Sequence, residues 1–175
     1  MAKKVAVLVV NPVNGAGLFQ YLEAFFENDI QYRTFAVSET THVKTNSGIN
    51  IQTDDVVANL KGAEDNYDAL VFACGDAIPK FSENATKEYN RDMLAVIKVF
   101  ADKNKTLIGH CGFALFLDNL GIGEGKKVAL HPYIKSLVKG VVATDEEAVI
   151  DSNIYTAQTE NGIPNLIPDL LKALK

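Results

Sequence analysis

Residues Val5–Val10 form an unbroken apolar run, rich in β-branched side chains, that stops at Asn11-Pro12. A strand of this composition has no polar face to give to water, so it must be covered on both sides. Asp68–Ala73 and Thr106–Gly109 repeat the pattern. Between these runs the apolar residues recur at helical spacing. Leu18, Leu22, Phe25 and Phe26 follow the first run, and Met93, Leu94, Ile97 and Phe100 line the inner face of a helix predicted over Thr86 to Lys103. Buried strands alternating with helices predict a doubly wound, parallel α/β sheet with helices on both faces. A second strand is expected near Tyr32–Val37. Val43–Thr45 and Ile49–Gln52 flank Asn46-Ser47-Gly48, which reads as a small hairpin appended to the main sheet. After Gly121 the pattern predicts short strands near Val128, Val141, Val149 and Tyr155, then a closing helix over Asn165 to Leu174.

The most informative stretch for chemistry is Thr106–Ala114. A short apolar strand runs into Gly109, and a helical apolar pattern (Phe113, Leu115, Phe116, Leu117, Leu120) starts just beyond Cys111. A strand-to-helix turn of this kind holds a nucleophilic side chain out of the sheet above a helix amino end, where a thiolate is favoured over a thiol. Gly109 and Gly112 let the backbone turn tightly. Ligands of such sheets bind beyond the carboxyl ends of the strands, where strand order reverses. Three loops are expected to meet there: Asn11–Gly17, Cys74–Pro79 and the Cys111 turn.

At 47% hydrophobic over 175 residues, the chain can bury a full core as one domain, 1–175, without a structural metal or disulfides. Its net charge of −5 speaks against nucleic acid or an anionic membrane surface as partner. The Val5–Val10 run is too short for a signal-peptide core, and two cysteines make no disulfide framework. A cytoplasmic protein with reduced thiols is expected.

The chain resembles the PfpI superfamily of intracellular proteases, amidases, deglycases and redox-responsive chaperones, with its class I glutamine amidotransferase-like, flavodoxin-like fold. The landmarks are the Val5–Val10 strand, the hairpin around Gly48, Gly75, Cys111, the Leu130-His131-Pro132 segment and Tyr155-Thr156. The resemblance implies a cysteine hydrolase, with Cys111 as nucleophile and His131 as its proton shuttle. Gly75 and Gly112 N–H groups would form the oxyanion hole. It also implies a small-molecule or peptide substrate and a homodimer or higher homo-oligomer. Two departures stand out. The family glutamate after the first strand is replaced by Gly15 in a loop that holds no carboxylate, and Gly112 stands where the protease-like members place a histidine after the nucleophile. His110 precedes the cysteine and, by strand alternation, should point away from it.

Each candidate has a plainer reading beside it. His131 could be a loop histidine bonded to backbone next to Pro132, and the two glycines could serve turn geometry alone. Cys74 ends one strand and Cys111 another, so Cys74 is either a packed thiol or a resolving thiol for an oxidised Cys111. Asn14-Gly15-Ala16-Gly17 is either a tight turn or an anion cradle that admits a flavin or nucleotide. No cofactor is required by the hydrolase reading, and no ligand spacing points to a metal. Asp76, Glu160 and Asn161 are candidates for the same rim, and His42 for the surface. The alternative to a hydrolase is a non-hydrolytic binding or redox-sensing module holding a nucleotide, flavin or small metabolite.

Overall fold

A computed structural model describes residues 3–175. In chain order the strands are β1 (Lys4–Val9), β2 (Gln31–Ala36), β3 (His42–Lys44), β4 (Asn50–Gln52), β5 (Asp55–Val56), β6 (Ala69–Ala73), β7 (Thr106–His110), β8 (Lys127–Val128), β9 (Val142–Ala143), β10 (Ala148–Asp151) and β11 (Ile154–Ala157). The helices are α1 (Gly15–Glu27), α2 (Val57–Leu60), α3 (Glu88–Asp102), α4 (Phe113–Asn119) and α5 (Ile163–Leu174). The main sheet has the order β10-β11-β7-β6-β1-β2-β5. Every pair in it is parallel except β10–β11.

The chain leaves β1 through α1 to β2 on one side, then returns to β6 on the other. Strand order therefore reverses between β1 and β6. Right-handed crossovers in opposite directions place α1 and α3 on opposite faces of the sheet. The central strands are buried without interruption: residues 5–9 and 69–73 are all sealed from solvent. This is the doubly wound, flavodoxin-like architecture that the apolar runs predict.

Three features depart from expectation. β10 is antiparallel, because only Ser152 and Asn153 separate it from β11 and so short a link cannot cross the sheet. β5 and α2, at two and four residues, are too short to carry any periodicity. The β3–β4 hairpin forms its own two-stranded sheet instead of extending the main one. It is fastened to the loop after β1: the Val13 N–H donates to Lys44 O at 2.9 Å, the Asn46 N–H to Val13 O at 2.8 Å, and the Lys44 N–H to Asn11 Oδ1 at 3.0 Å.

The strand-to-helix turn rests on an aromatic stack. Gly109 sits opposite Phe72 in the β6–β7 register. Phe113 folds back over Gly109 and stacks on Phe72, ring centroids 5.3 Å apart, with Phe116 at 5.4 Å from the same ring. A Cβ on Gly109 would lie 2.3 Å from Phe113 Cδ1. Glycine is required there for close approach, since its φ is not in the left-handed region. Gly109→Ala is expected to lower stability by about 1–3 kcal/mol through overpacking. Urea unfolding of the two proteins measures this, and an unchanged midpoint would contradict the stacking account.

Candidate active site

Cys111 directly follows β7 with φ at +57°. That region is uncommon for a residue with a Cβ and marks a position held by its surroundings. The surroundings here are two backbone hydrogen bonds. The Cys111 N–H donates to Ala157 O at 3.1 Å, and its carbonyl accepts from the His131 N–H at 3.1 Å. The turn is thus pinned from β11 on one side and from the segment before Pro132 on the other.

Beyond the strand ends lies a cavity of about 290 Å³, lined by Asn14, Cys74, Gly75, Asp76, His110, Cys111, His131, Thr159, Glu160 and Asn161. It gathers residues that follow β1, β6, β7 and β11, where the strand-order reversal predicts a site. A larger open depression on the molecule, lined by Lys4, Phe26, Asp29 and Arg33 among others, holds no cysteine or histidine.

Cys74 follows β6 and is fully buried, while Cys111 is partly open to the cavity. A hydrogen bond between the two sulfurs lowers the pKa of Cys111 below the ordinary thiol value; burial opposes this, the Gly112 N–H assists it, and the carboxylates of Glu160 and Asp76 work against it. Cys74 moves the other way. Burial first, and then its contact with Cys111, push its pKa well above the ordinary value. The opposed directions make Cys111 the better of the two sulfurs to carry a thiolate and Cys74 the better to keep its proton. In the family that the sequence resembles, a protonated glutamate has this task. Asp76 and Glu160 do reach the rim, but as charges that oppose the thiolate they do not replace that donor.

The two glycines carry more than turn geometry. A Cβ on Gly75 would lie 2.3 Å from Pro12 O and 2.7 Å from Asn14 N, so the loop after β1 leaves no room for a side chain. The Gly112 N–H points at Cys74 Sγ, 3.4 Å away. A donor expected for an oxyanion thus meets a sulfur in the resting site.

His131 lies on the cavity, and its Nδ1 accepts from the Tyr133 N–H at 3.3 Å. With Nδ1 accepting, the neutral ring carries its proton on Nε2, which makes it a donor and leaves no free acceptor for the proton of a thiol.

Of the Asn14–Gly17 loop, only Asn14 reaches the cavity. The Asn14 N–H donates to Cys74 O at 2.9 Å, and Asn14 Oδ1 caps α1 by accepting from the Gly17 N–H at 2.8 Å. Gly15 packs on Thr45, where a Cβ would lie 3.2 Å from Cγ2. Ala16 is exposed. These contacts account for the loop as a helix entry.

Strand alternation placed His110 away from Cys111 and so understated it. The residue borders the cavity, yet its ring packs against α1, with a Gly17 Cβ position only 2.6 Å from Nε2 and the Tyr21 ring centroid 5.9 Å away. Among the described residues neither ring nitrogen of His110 nor the Tyr21 hydroxyl has a hydrogen-bond partner. Burial holds the His110 pKa down at about 4, against the weaker upward pull of Glu160. No group of three or more His, Cys, Asp or Glu that could hold a metal ion occurs among the described residues. Nor is any helix there long and apolar enough to cross a membrane.

Two outcomes follow from these pKa directions. The alkylation rate of Cys111 against pH should show its midpoint below the usual thiol value in the parent protein and higher in Cys74→Ala, which lacks the donor. An identical midpoint in both would remove Cys74 from the account. His110 binds a proton more readily unfolded, near pH 6.5, than folded, near pH 4. Stability should therefore fall as pH drops from about 6.5 to 4, by about 3 kcal/mol in the limit. Urea midpoints across this range for the parent and His110→Leu read it; a leucine variant with the same pH slope would contradict it.

The DJ-1/PfpI family matches this sequence over residues 3–173. Protein ppBat of Bacteroides thetaiotaomicron is 58% identical over 175 residues, covering the whole of both chains. A crystal structure from the same organism, of a protein called "putative protease I", superposes with a TM-score of 0.98 at 58% identity, over 99% of this chain and 100% of that one. Drosophila melanogaster DJ-1beta shares the fold, with a TM-score of 0.84 at 16% identity, over 99% of this chain and 91% of that one. A pinned cysteine turn beyond a doubly wound sheet, matched along almost the whole sequence, makes this chain a member of the DJ-1/PfpI family.

Proposed function

We propose that the protein is a cysteine hydrolase acting on small acyl compounds, with Cys111 as nucleophile. The observation that carries this reading is the position of Cys111: strained, pinned on both sides, open to the cavity and favoured as a thiolate by Cys74. A thiol whose pKa is lowered asks less of a base to start the reaction, which fits a site whose nearby imidazole is a donor.

The thiolate attacks the carbonyl carbon, and negative charge gathers on the carbonyl oxygen. The Gly75 and Gly112 N–H groups and the His131 Nε2–H are the donors at hand for that charge. As Cys111 loses its charge to the new bond, the Cys74 thiol is released from it, and the Gly112 N–H can exchange the Cys74 sulfur for the oxygen. The leaving group departs with a proton from water and leaves a thioester on Cys111. A second water cleaves the thioester to the acid and returns the thiol. The cavity volume is at the lower end of the range for small-molecule sites, which favours small substrates over long peptides.

The test is pre-steady-state release of nitrophenol from p-nitrophenyl acetate. A burst stoichiometric with protein is expected, absent in Cys111→Ala and slowed by about 10²-fold in His131→Ala if the imidazole donates to the oxyanion. A full burst in Cys111→Ala would end the reading. The effect of Gly75→Ala is not informative here, because that change also collides with the backbone of residues 12–14.

A further inference from the structure

The hydrolase reading leaves Cys74 as a helper, yet its surroundings suit a second chemistry that does not depend on that reading. β6 and β7 are parallel and aligned with Phe72 opposite Gly109. Cys74 and Cys111 are the first residues beyond the ends of these two strands. Neighbouring strands lie about 4.8 Å apart, inside the roughly 4.4–6.8 Å between Cα atoms that a disulfide spans. Both cysteines line the same cavity. The Gly112 N–H rests on Cys74 Sγ, where it can support charge as that sulfur gives up its proton. Cys74 has no exposed surface, which leaves Cys111 as the more open thiol of the two. Cys111 opens on a cavity with ample room for a peroxide.

We propose that Cys74 is the resolving thiol of a peroxide-driven, reversible disulfide with Cys111. In the first step the Cys111 thiolate attacks one oxygen of hydrogen peroxide. The O–O bond breaks, sulfur loses two electrons to the peroxide, Cys111 becomes a sulfenic acid, and the departing hydroxide takes up the proton that Cys111 had released. In the second step the Cys74 sulfur attacks the Cys111 sulfur. The S–O bond breaks, and the hydroxyl leaves with the Cys74 proton as water. Two thiols and one peroxide thus give one disulfide and two waters. An external dithiol reverses the bond by thiol–disulfide exchange. While closed, the bond withdraws the nucleophile; it also spares Cys111 from further oxidation to the sulfinic acid, which simple thiols do not reverse.

The experiment is intact-mass measurement of the whole protein after a graded addition of hydrogen peroxide, with denatured-state alkylation to count thiols. The parent protein should lose the mass of two hydrogens as a monomer, lose both alkylatable thiols, and recover them fully in dithiothreitol. Cys74→Ser should instead gain oxygen at Cys111, in a form that dithiothreitol does not return to thiol once two oxygens are added. A parent protein that gains two oxygens with Cys74 still alkylatable overturns the proposal. So does one that retains both thiols, or one whose disulfide joins two chains. The parent result is decisive even if Cys74→Ser folds poorly. It is also independent of the ester burst, so either reading can fail without the other.

Discussion

Everything at this site is set by the approach of one backbone segment to another. Residues 12–14, in the loop after β1, lie so close to Gly75 that no side chain fits between them, and the Asn14 N–H is bonded to the carbonyl of Cys74. This contact crosses the strand-order reversal between β1 and β6. It fixes where β6 ends and therefore where the Cys74 sulfur points. It also anchors the β3–β4 hairpin, which holds the same loop from the far side through Asn11, Val13 and Thr45. Cys111 is then placed by a second constraint, the aromatic stack that turns the chain from β7 into α4.

A thiol beside Cys111 acts on it differently from a carboxylic acid. A carboxyl group has an ordinary pKa near 4.3 and must be raised by burial before it can donate at neutral pH. A buried thiol is protonated there without help. The exchange has a cost, because an S–H group is a weak donor. Two carboxylates on the rim also oppose the thiolate. What the exchange adds is a donor that can itself be oxidised.

Much of this was legible in the sequence, for definite reasons. β1, β6, β7 and α3 declare themselves because a strand buried on both faces and a long amphipathic helix leave unmistakable apolar spacing. The meeting of the loops after β1, β6 and β7 follows from strand order, and so does the neighbouring of Cys74 and Cys111. Glycines were harder. Gly15 and Gly17 look like the elements of an anion cradle, yet one packs on Thr45 and the other makes room for an imidazole. A glycine records that space is short, not what occupies it. Likewise, the spacing of His131 gives no sign that Tyr133 has engaged one ring nitrogen. Nor does the sequence reveal that the Gly112 N–H is turned onto sulfur. Such facts depend on side-chain directions fixed only once the layers are packed.

The junction of β7 with α1 has a consequence for variation in this fold. His110 fills the hollow left by Gly17, under Ile163 at the start of α5. Bulk at position 17 and bulk at position 110 therefore draw on one fixed volume. A methyl group at 17 can be received only by a smaller residue at 110, and a smaller residue at 110 leaves a void unless 17 grows. Related sequences that keep this geometry should exchange volume between the two sites as a pair. The residue preceding Cys111 is thereby chosen by a helix packed on the strand as much as by the cavity beside it.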